Sequence, residues 1–499
     1  MTIAIPDAEP ALATVRQLGA ILAARRISSV ELAELVLARL SRLGPAYNAI
    51  ASLLPERALA EARQADERRS RGRPAGPLLG IPYGAKDLLA ARGGPTTWGT
   101  RGYADRVIDV DAAAIERLTR AGGMLAAKLA LSELASFGTG SAYASMHGPG
   151  RNPWDTTRWA GGSSTGSAAV VAAGLVPFTL ASETAGSIGS PSAYCGVTGL
   201  RPTYGLVSRF GAMPHSWTVD KIGVIARTAD DCGLVLEAIA GGDRRDSGSA
   251  NRTFRHTAVD QVRRNGLAGI RVGFSEHDFE VEAQPSIRPA LRRGWRAIQD
   301  LGVQVADASL PVGIPYLAVT SAIVTGEVSS SLAPIVEREA LDQVTRPEQQ
   351  AALIASQSTL ARDYLDAQRI RRVLQQGMAA IFERIDVLVS YTLPATANPI
   401  DVDFTPVPMT TGNTALIVAG NLAGLPALFV PVGLATDGLP VGMQMVGRPF
   451  SEATLLALGE AMQAATGWHT LRPPLPPGNA PATGSAAADA DGAGRDVRA

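Results

Sequence analysis

The sequence predicts an α/β protein, and three observations carry that reading. Short apolar runs closed by glycine or proline, such as Leu78-Leu79-Gly80-Ile81-Pro82, alternate with stretches of helical periodicity, the order in which strands and helices follow one another in α/β folds. The chain has 499 residues, 46% hydrophobic and 18% charged, the balance of a packed protein with apolar area enough for an extended core. Its 52 glycines and 33 prolines supply many tight turns.

Ser28-Ser29-Val30-Glu31 has capping-box spacing, and Leu32, Leu35, Val36, Leu40 and Leu43 then share one helical face. From Glu56 to Gly76 the chain is charged, Ala-rich and polar. The apolar run ending at Pro82 follows, with Lys86 on a strand or just beyond it. Asp111 to Ala135 reads as helix, turn, strand and helix around Gly122-Gly123, and Val176 to Ala181 as a strand. Gly241 to Asn251 is expected as a surface loop, because a strand (Ile270 to Phe274) and a helix (Ile287 to Leu301) resume after it. Ala318 to Arg384 is mainly helical, and Asp386 to Tyr391 and Val441 to Val446 are buried strands. The uncharged stretch Thr414 to Ala435 is interrupted by Gly420, Asn421, Gly424, Pro426 and Pro431, so it reads as buried strand and turn rather than a membrane span. Residues 478–499 have little to bury and are expected to be disordered, leaving 1–477 as one domain.

The 46 basic and 46 acidic residues cancel, so no whole-protein field attracts nucleic acid, and a small, weakly charged ligand fits better. Cys195 and Cys232 cannot form a disulfide framework, and no His/Cys cluster offers zinc geometry. Met1 to Pro10 lacks the pattern of a secretory signal, which makes a cytoplasmic location the expectation. Only three positions are lysine, Lys86, Lys128 and Lys221; lysine can give up its proton where arginine cannot.

Chemistry concentrates in two serine clusters. Gly161-Gly162-Ser163-Ser164-Thr165-Gly166-Ser167 precedes a small, apolar run, which places the serines at the N-terminus of a buried helix where free N–H groups favour negative charge. The second cluster, Ser182-Glu183-Thr184-Ala185-Gly186-Ser187-Ile188-Gly189, follows a strand. Its small residues let successive N–H groups point into one concavity, as in an oxyanion hole.

A serine needs a base to become a nucleophile. The histidines, His147, His215, His256, His277 and His469, are scattered and tied to neither cluster. Gly162-Ser163-Ser164-Thr165-Gly166 matches the G-x-S-x-G nucleophile elbow, but that motif requires a strand directly before it, and Asn152 to Arg158 reads as a loop. A lysine with a pKa lowered by burial remains as candidate base.

Gly80-Ile81-Pro82-Tyr83-Gly84-Ala85-Lys86-Asp87, Gly161-Gly162-Ser163-Ser164 and Glu183-Thr184-Ala185-Gly186-Ser187-Ile188 resemble, in order and spacing, the motifs of the amidase signature family. Further likeness at Pro45 to Asp87, Ala121 to Ala135, Gly199 to Asp231 and Asn421 to Phe450 extends it over most of residues 10–475. The resemblance implies one large α/β domain with a twisted, mixed central sheet covered by helices on both sides, and amide cleavage by a Ser-Ser-Lys triad. By position Ser187 is then the nucleophile, Ser163 the bridging serine after a cis peptide bond, and Lys86 the base. The N–H groups of Thr184, Ala185, Gly186 and Ser187 form the oxyanion hole. The chain departs from the family at Thr165, at Glu183 (commonly Asp) and at Gly189 (commonly Arg), which is expected to widen the wall of the site. Lys128 matches a structural lysine on a helix, and Lys221 is expected on a loop or pocket rim.

The function expected is hydrolysis of carboxylic amides, with related esters, anilides and aryl carbamates, through an acyl-enzyme. No metal, cofactor, nucleic acid or membrane is implied; a small-molecule amide, ester or carbamate is the partner, and a homodimer is compatible with the reading. The alternative is the glutaminase subunit of a glutamyl-tRNA amidotransferase complex. The free-standing enzyme is preferred because Ala318 to Leu360 lacks the Arg/Lys-rich stretch associated with that glutaminase. Tyr83, Trp98, Tyr143, Met146, His147 and Trp217 are the candidates to line an aromatic cleft.

Overall fold

The computed structural model describes residues 13–72, 76–136, 143–337, 340–400 and 415–474. The segments 1–10 and 478–499, which bear on location and disorder, lie outside these. The described residues form thirteen strands: β1 (Ile50–Leu53), β2 (Pro82–Lys86), β3 (Met124–Leu129), β4 (Arg151–Asn152), β5 (Asp155–Trp159), β6 (Phe178–Glu183), β7 (Thr198–Arg201), β8 (Lys221–Ala226), β9 (Arg271–Phe274), β10 (Gln304–Asp307), β11 (Val387–Tyr391), β12 (Ala427–Leu434) and β13 (Pro440–Gly447). Eleven make one sheet in the order β1-β3-β2-β6-β8-β7-β12-β13-β11-β9-β10. Pairing is parallel at β3/β2/β6 and at β11/β9/β10 and antiparallel elsewhere, so the sheet is mixed. Helices flank it, and one apolar cluster runs from Val15 to Met462.

The capping box at Ser28 forms: its hydroxyl accepts Glu31 N–H at 3.1 Å and the Glu31 carboxylate accepts Ser28 N–H at 2.8 Å, starting the helix Ser29–Leu43. Helices Ala113–Ala121 and Arg288–Gln299 also lie where periodicity puts them. The polar stretch after Glu56 is itself a helix, Pro55–Ser70, whose buried face is only Ala58, Ala62 and Ala65. The uncharged stretch before Ala435 begins as a helix, Leu416–Leu422, and becomes β12 after the Gly424 turn. Among the described residues no helix is long and apolar enough to cross a membrane.

Two expectations fail locally. Asn152 to Arg158 is not a loop: β4 and β5 pair as a separate hairpin whose Pro153-Trp154 turn is held by the Asn152 side chain accepting Trp154 N–H at 3.0 Å. Lys128 stands on β3 rather than on a helix, fully buried, with Nζ 2.6 Å from Asp87 Oδ1 and 3.0 Å from Thr96 Oγ1.

Candidate active site

Lys86 ends β2, between parallel neighbours β3 and β6. Close packing at that end needs Gly84, because a Cβ there would lie 2.6 Å from Leu129 Cδ1. Lys86 is fully buried, and its Nζ lies 2.8 Å from Ser163 Oγ and 3.0 Å from Ser182 Oγ. Burial lowers its pKa to about 7, although the carboxylates of Asp220 and Glu183 pull the other way. The amine is therefore free to take a proton near neutral pH.

Ser163 follows β5 through Ala160-Gly161-Gly162. Gly161 has φ +79°, and a Cβ on it would stand 2.6 Å from Pro191 Cα, so only glycine fits this approach. The Gly162–Ser163 peptide is cis. The Ser163 carbonyl accepts Ser132 N–H at 3.1 Å, and the buried helix Thr165–Ala172 begins two residues on. Ser164 turns away: it is fully buried, with Oγ directed at the Ser182 carbonyl, 3.3 Å distant. The strand before the G-x-S-x-G match belongs to the β4/β5 hairpin, not to the central sheet that an elbow requires.

Ser187 lies in the turn from β6 into the helix Gly189–Cys195. Its Oγ is 3.0 Å from Ser163 Oγ, and its carbonyl accepts Ser164 N–H at 3.3 Å. Gly186 takes φ +125° to turn the backbone here. None of the N–H groups of Thr184, Ala185, Gly186 and Ser187 donates within the described hydrogen bonds. The Thr184 hydroxyl donates to Asp220 Oδ1 at 2.6 Å, while Asp220 Oδ2 accepts His215 and Ser216 N–H. Burial raises the Asp220 carboxyl to about 6, and burial next to Lys86 drops His215 to about 4, so its imidazole is neutral at pH 7.

A cavity of about 350 Å³ opens on this region. Ser182, Thr184, Asp220 and His215 give it a polar floor; Leu88, Phe210, Met213, Trp217 and Ile222 form apolar walls; and Arg245 to Gly248 close one side. The surface loop Gly241 to Asn251 thus reaches the site, fastened by Arg209 Nη2 at 2.6 Å from Asp246 Oδ1.

Of the six aromatic-cleft candidates, Trp217 alone lines this cavity, 43% exposed. Tyr83 is a core residue instead: it lies at the opposite end of β2 from Lys86, fully buried, its ring stacked on Phe178 at 5.3 Å. Trp98 packs edge-on against Tyr103 beneath the Arg106 guanidinium. Tyr143 joins Trp159 and Tyr194 in a separate aromatic cluster. Met146 and His147 are half-buried near Gly99 and Ser145, their backbone N–H groups bonded there.

The departures also resolve. Gly189 does not widen the wall: it is buried, and a Cβ there would lie 2.6 Å from Phe429 Cε1. Lys221 is no rim residue; it starts β8, fully buried, with Nζ 3.2 Å from the Asn421 carbonyl and its pKa driven well below the usual lysine value by burial and by Arg201. Sequence reasoning missed Ser182, Asp220 and His215. The first was legible, since period-2 alternation puts Ser182 and Thr184 on one face of the strand end. The others depend on β6 pairing with β8, which sets Glu183 opposite Lys221 and Thr184 near Asp220.

Comparison with known proteins gives the chain's kinship. The family model "Amidase" matches residues 31–456. The chain is similar to a glutamyl-tRNA(Gln) amidotransferase subunit of Chloroflexus aurantiacus, 40% identical over 93% of this chain and 98% of that one, and to its namesake in Methylococcus capsulatus, 38% identical over 92% and 98%. Among solved structures it resembles the peptide amidase of Stenotrophomonas maltophilia (TM-score 0.82, 31% identity, 94% of this chain and 99% of that one). It also resembles the corresponding amidotransferase subunit of Thermotoga maritima (TM-score 0.76, 26%, 95% and 99%). With the family model spanning most of the chain and its fold matching these enzymes, the chain belongs to the amidase family, the amidase signature enzymes.

Proposed function

We infer that this chain cleaves the C–N bond of a small carboxamide by acyl transfer to Ser187. The observation that carries this is the unbroken chain from Lys86 Nζ to Ser163 Oγ (2.8 Å) to Ser187 Oγ (3.0 Å), buried at its base end; the cavity is lined not by these three but by their neighbours Ser182, whose Oγ lies 3.0 Å from Lys86 Nζ, and Thr184. Neutral Lys86 accepts the Ser163 proton as Ser163 accepts that of Ser187, and Ser187 Oγ attacks the amide carbon. The N–H groups of residues 184 to 187 meet the developing oxyanion. Lys86 then returns the proton through Ser163 to the departing nitrogen, which leaves as a neutral amine or ammonia. Water repeats the attack on the acyl-enzyme, giving a proton to Ser163 as Ser163 gives its own to Lys86; the relay then returns that proton to Ser187 Oγ as the ester bond breaks and the carboxylic acid leaves.

The relatives' names favour the alternative over the free-standing enzyme preferred from sequence: at 40% identity over nearly the full length of both chains, the reading they support is an amidase component of an amidotransferase assembly, taking ammonia from glutamine. The second reading, a free-standing amidase on peptide amides, anilides or aryl carbamates, is favoured by the closer structural likeness to peptide amidase, TM-score 0.82 against 0.76. Assaying the purified chain on glutamine and on neutral amides, alone and with candidate partner subunits, separates the two. Glutamine turnover that rises with a partner supports the first; robust turnover of neutral amides by the chain alone, with none of glutamine under any condition, supports the second. Turnover of no amide or ester would overturn both.

A further inference from the structure

The last residue of β6 reaches forward around its own turn. Glu183 is fully buried, and its Oε2 accepts the backbone N–H groups of Ile188 at 2.7 Å and Gly189 at 2.8 Å. One side chain thereby closes residues 183 to 189 into a ring, with Ser187 and the four N–H donors on the arc between. Its other oxygen, Oε1, accepts Arg201 Nη1 at 2.7 Å and Asn421 Nδ2 at 2.8 Å, which fastens the ring to β7 and to the helix Leu416–Leu422. Arg201 is held in turn by the carbonyls of Leu425 (3.0 Å) and Ile417 (3.3 Å).

The counter-charge has to come from outside the turn. No side chain fits at Gly189, where a Cβ would also stand 2.9 Å from Ile417 Cδ1. Burial would raise the Glu183 carboxyl, but Arg201 and the donors of Gly189 and Asn421 outweigh it and keep the group below the usual carboxylate range. A carboxylate shorter by one C–C bond, about 1.5 Å, would lose either the donors at the helix start or the contact with Arg201.

We propose that Glu183, clamped by Arg201, is the positioning residue of the nucleophile turn, setting where Ser187 Oγ and the oxyanion donors stand relative to Ser163. The proposal rests on Ser187 being the nucleophile. Neither side chain touches substrate; both act through the turn.

Glu183→Gln keeps the size but sets an NH2 group against either the Ile188 and Gly189 donors or Arg201. Displacement of reacting atoms by about 1 Å costs about a hundredfold in rate, so kcat on a small amide should fall by about that factor with KM little changed. Labelling of Ser187 by phenylmethylsulfonyl fluoride should slow in step. Lys86 is faced by Asp220, Glu183 and the neutral His215, and Glu183 by Arg201 and Lys221. Removing the Glu183 charge should therefore also move the acid limb of the pH–rate profile to lower pH, which a merely structural role would not do. Arg201→Lys, which keeps the charge, should show a smaller loss of the same kind. Ser187→Ala is run beside them: an active Ser187→Ala enzyme, or label on another serine, overturns the nucleophile assignment itself. Label confined to Ser187 together with unchanged kcat and an unshifted limb in folded Glu183→Gln overturns the positioning role alone. If Glu183→Gln does not fold, Arg201→Lys carries the test, and failure of both to fold assigns the pair to stability and overturns the proposal.

Discussion

Ser163 Oγ lies 2.8 Å from Lys86 Nζ, and this contact decides which way the proton chain runs. A charged Lys86 donates to Ser163, which then donates to Ser187 and leaves it no acceptor for its own proton. A neutral Lys86 reverses both bonds and makes Ser187 the donor. In the proposed mechanism only the second arrangement can start the reaction.

Activity on a non-titrating amide should rise with pH through about 7, the value to which burial lowers Lys86. The sign follows from the proposed base acting in its neutral form, so the protonated enzyme below that pKa should be inactive. Lys86→Arg, which supplies no acceptor, should lose at least about a thousandfold, roughly 4 kcal/mol of barrier. Lys86→Met controls for arginine's shape. Near-normal turnover by either variant, folded by circular dichroism, would remove Lys86 from the mechanism.

An activated sulfonyl reagent should modify Ser187 and spare Ser164, whose buried hydroxyl is directed at the Ser182 carbonyl. Peptide mapping by mass spectrometry reads the outcome directly.

Ser163→Ala should impair amides more than activated esters. An amide nitrogen leaves only when protonated, whereas a phenolate leaves with little help. Equal losses on a matched amide and ester pair would mean that Ser163 only shapes its loop.

Lys128→Met should cost about 3–5 kcal/mol by urea denaturation, because it strands the buried Asp87 carboxylate without its partner at 2.6 Å. Asp87→Asn in the same chain should return part of that loss.

Trp217→Ala should alter KM for aryl substrates, since Trp217 stands on the cavity wall. Tyr83→Phe should leave kinetics untouched: its hydroxyl is buried in the core with no hydrogen-bond partner among the described residues, and its removal should be neutral or mildly stabilising. A kinetic effect of Tyr83→Phe would contradict its placement on the core side of β2.

The contrast between those two aromatics marks how far the sequence can be read. Strands at Asp386 to Tyr391 and Val441 to Val446, and the capped helix after Ser28, announce themselves because local pattern and burial agree. The helix Pro55–Ser70 does not, since alanine carries its buried face and gives almost no amphipathic signal. The serine clusters were legible because glycine and serine in such runs have few structural uses, and the family motifs gave their partners. What lines the cavity was not, because Tyr83 and Trp217 are alike in composition and differ only in which end of which strand or loop they occupy. His215 and Asp220 enter the site on the turn that leads into β8, whose neighbours in the sheet, β6 and β7, are set by pairings across the whole fold.

The parallel alignment of β2 with β6, Gly84 beside Thr179 and Ala85 beside Leu180, is the step that carries Lys86 to Ser182 and Ser163. Parallel neighbours cannot be joined by a tight turn, and contacts so distant along the chain close slowly. During refolding, helices such as Ser29–Leu43 can form early from local contacts, while the amine meets its hydroxyls only once this long crossover is complete. Recovery of activity should therefore lag behind recovery of the far-ultraviolet dichroism signal, making catalysis a clock for the last assembly of the sheet.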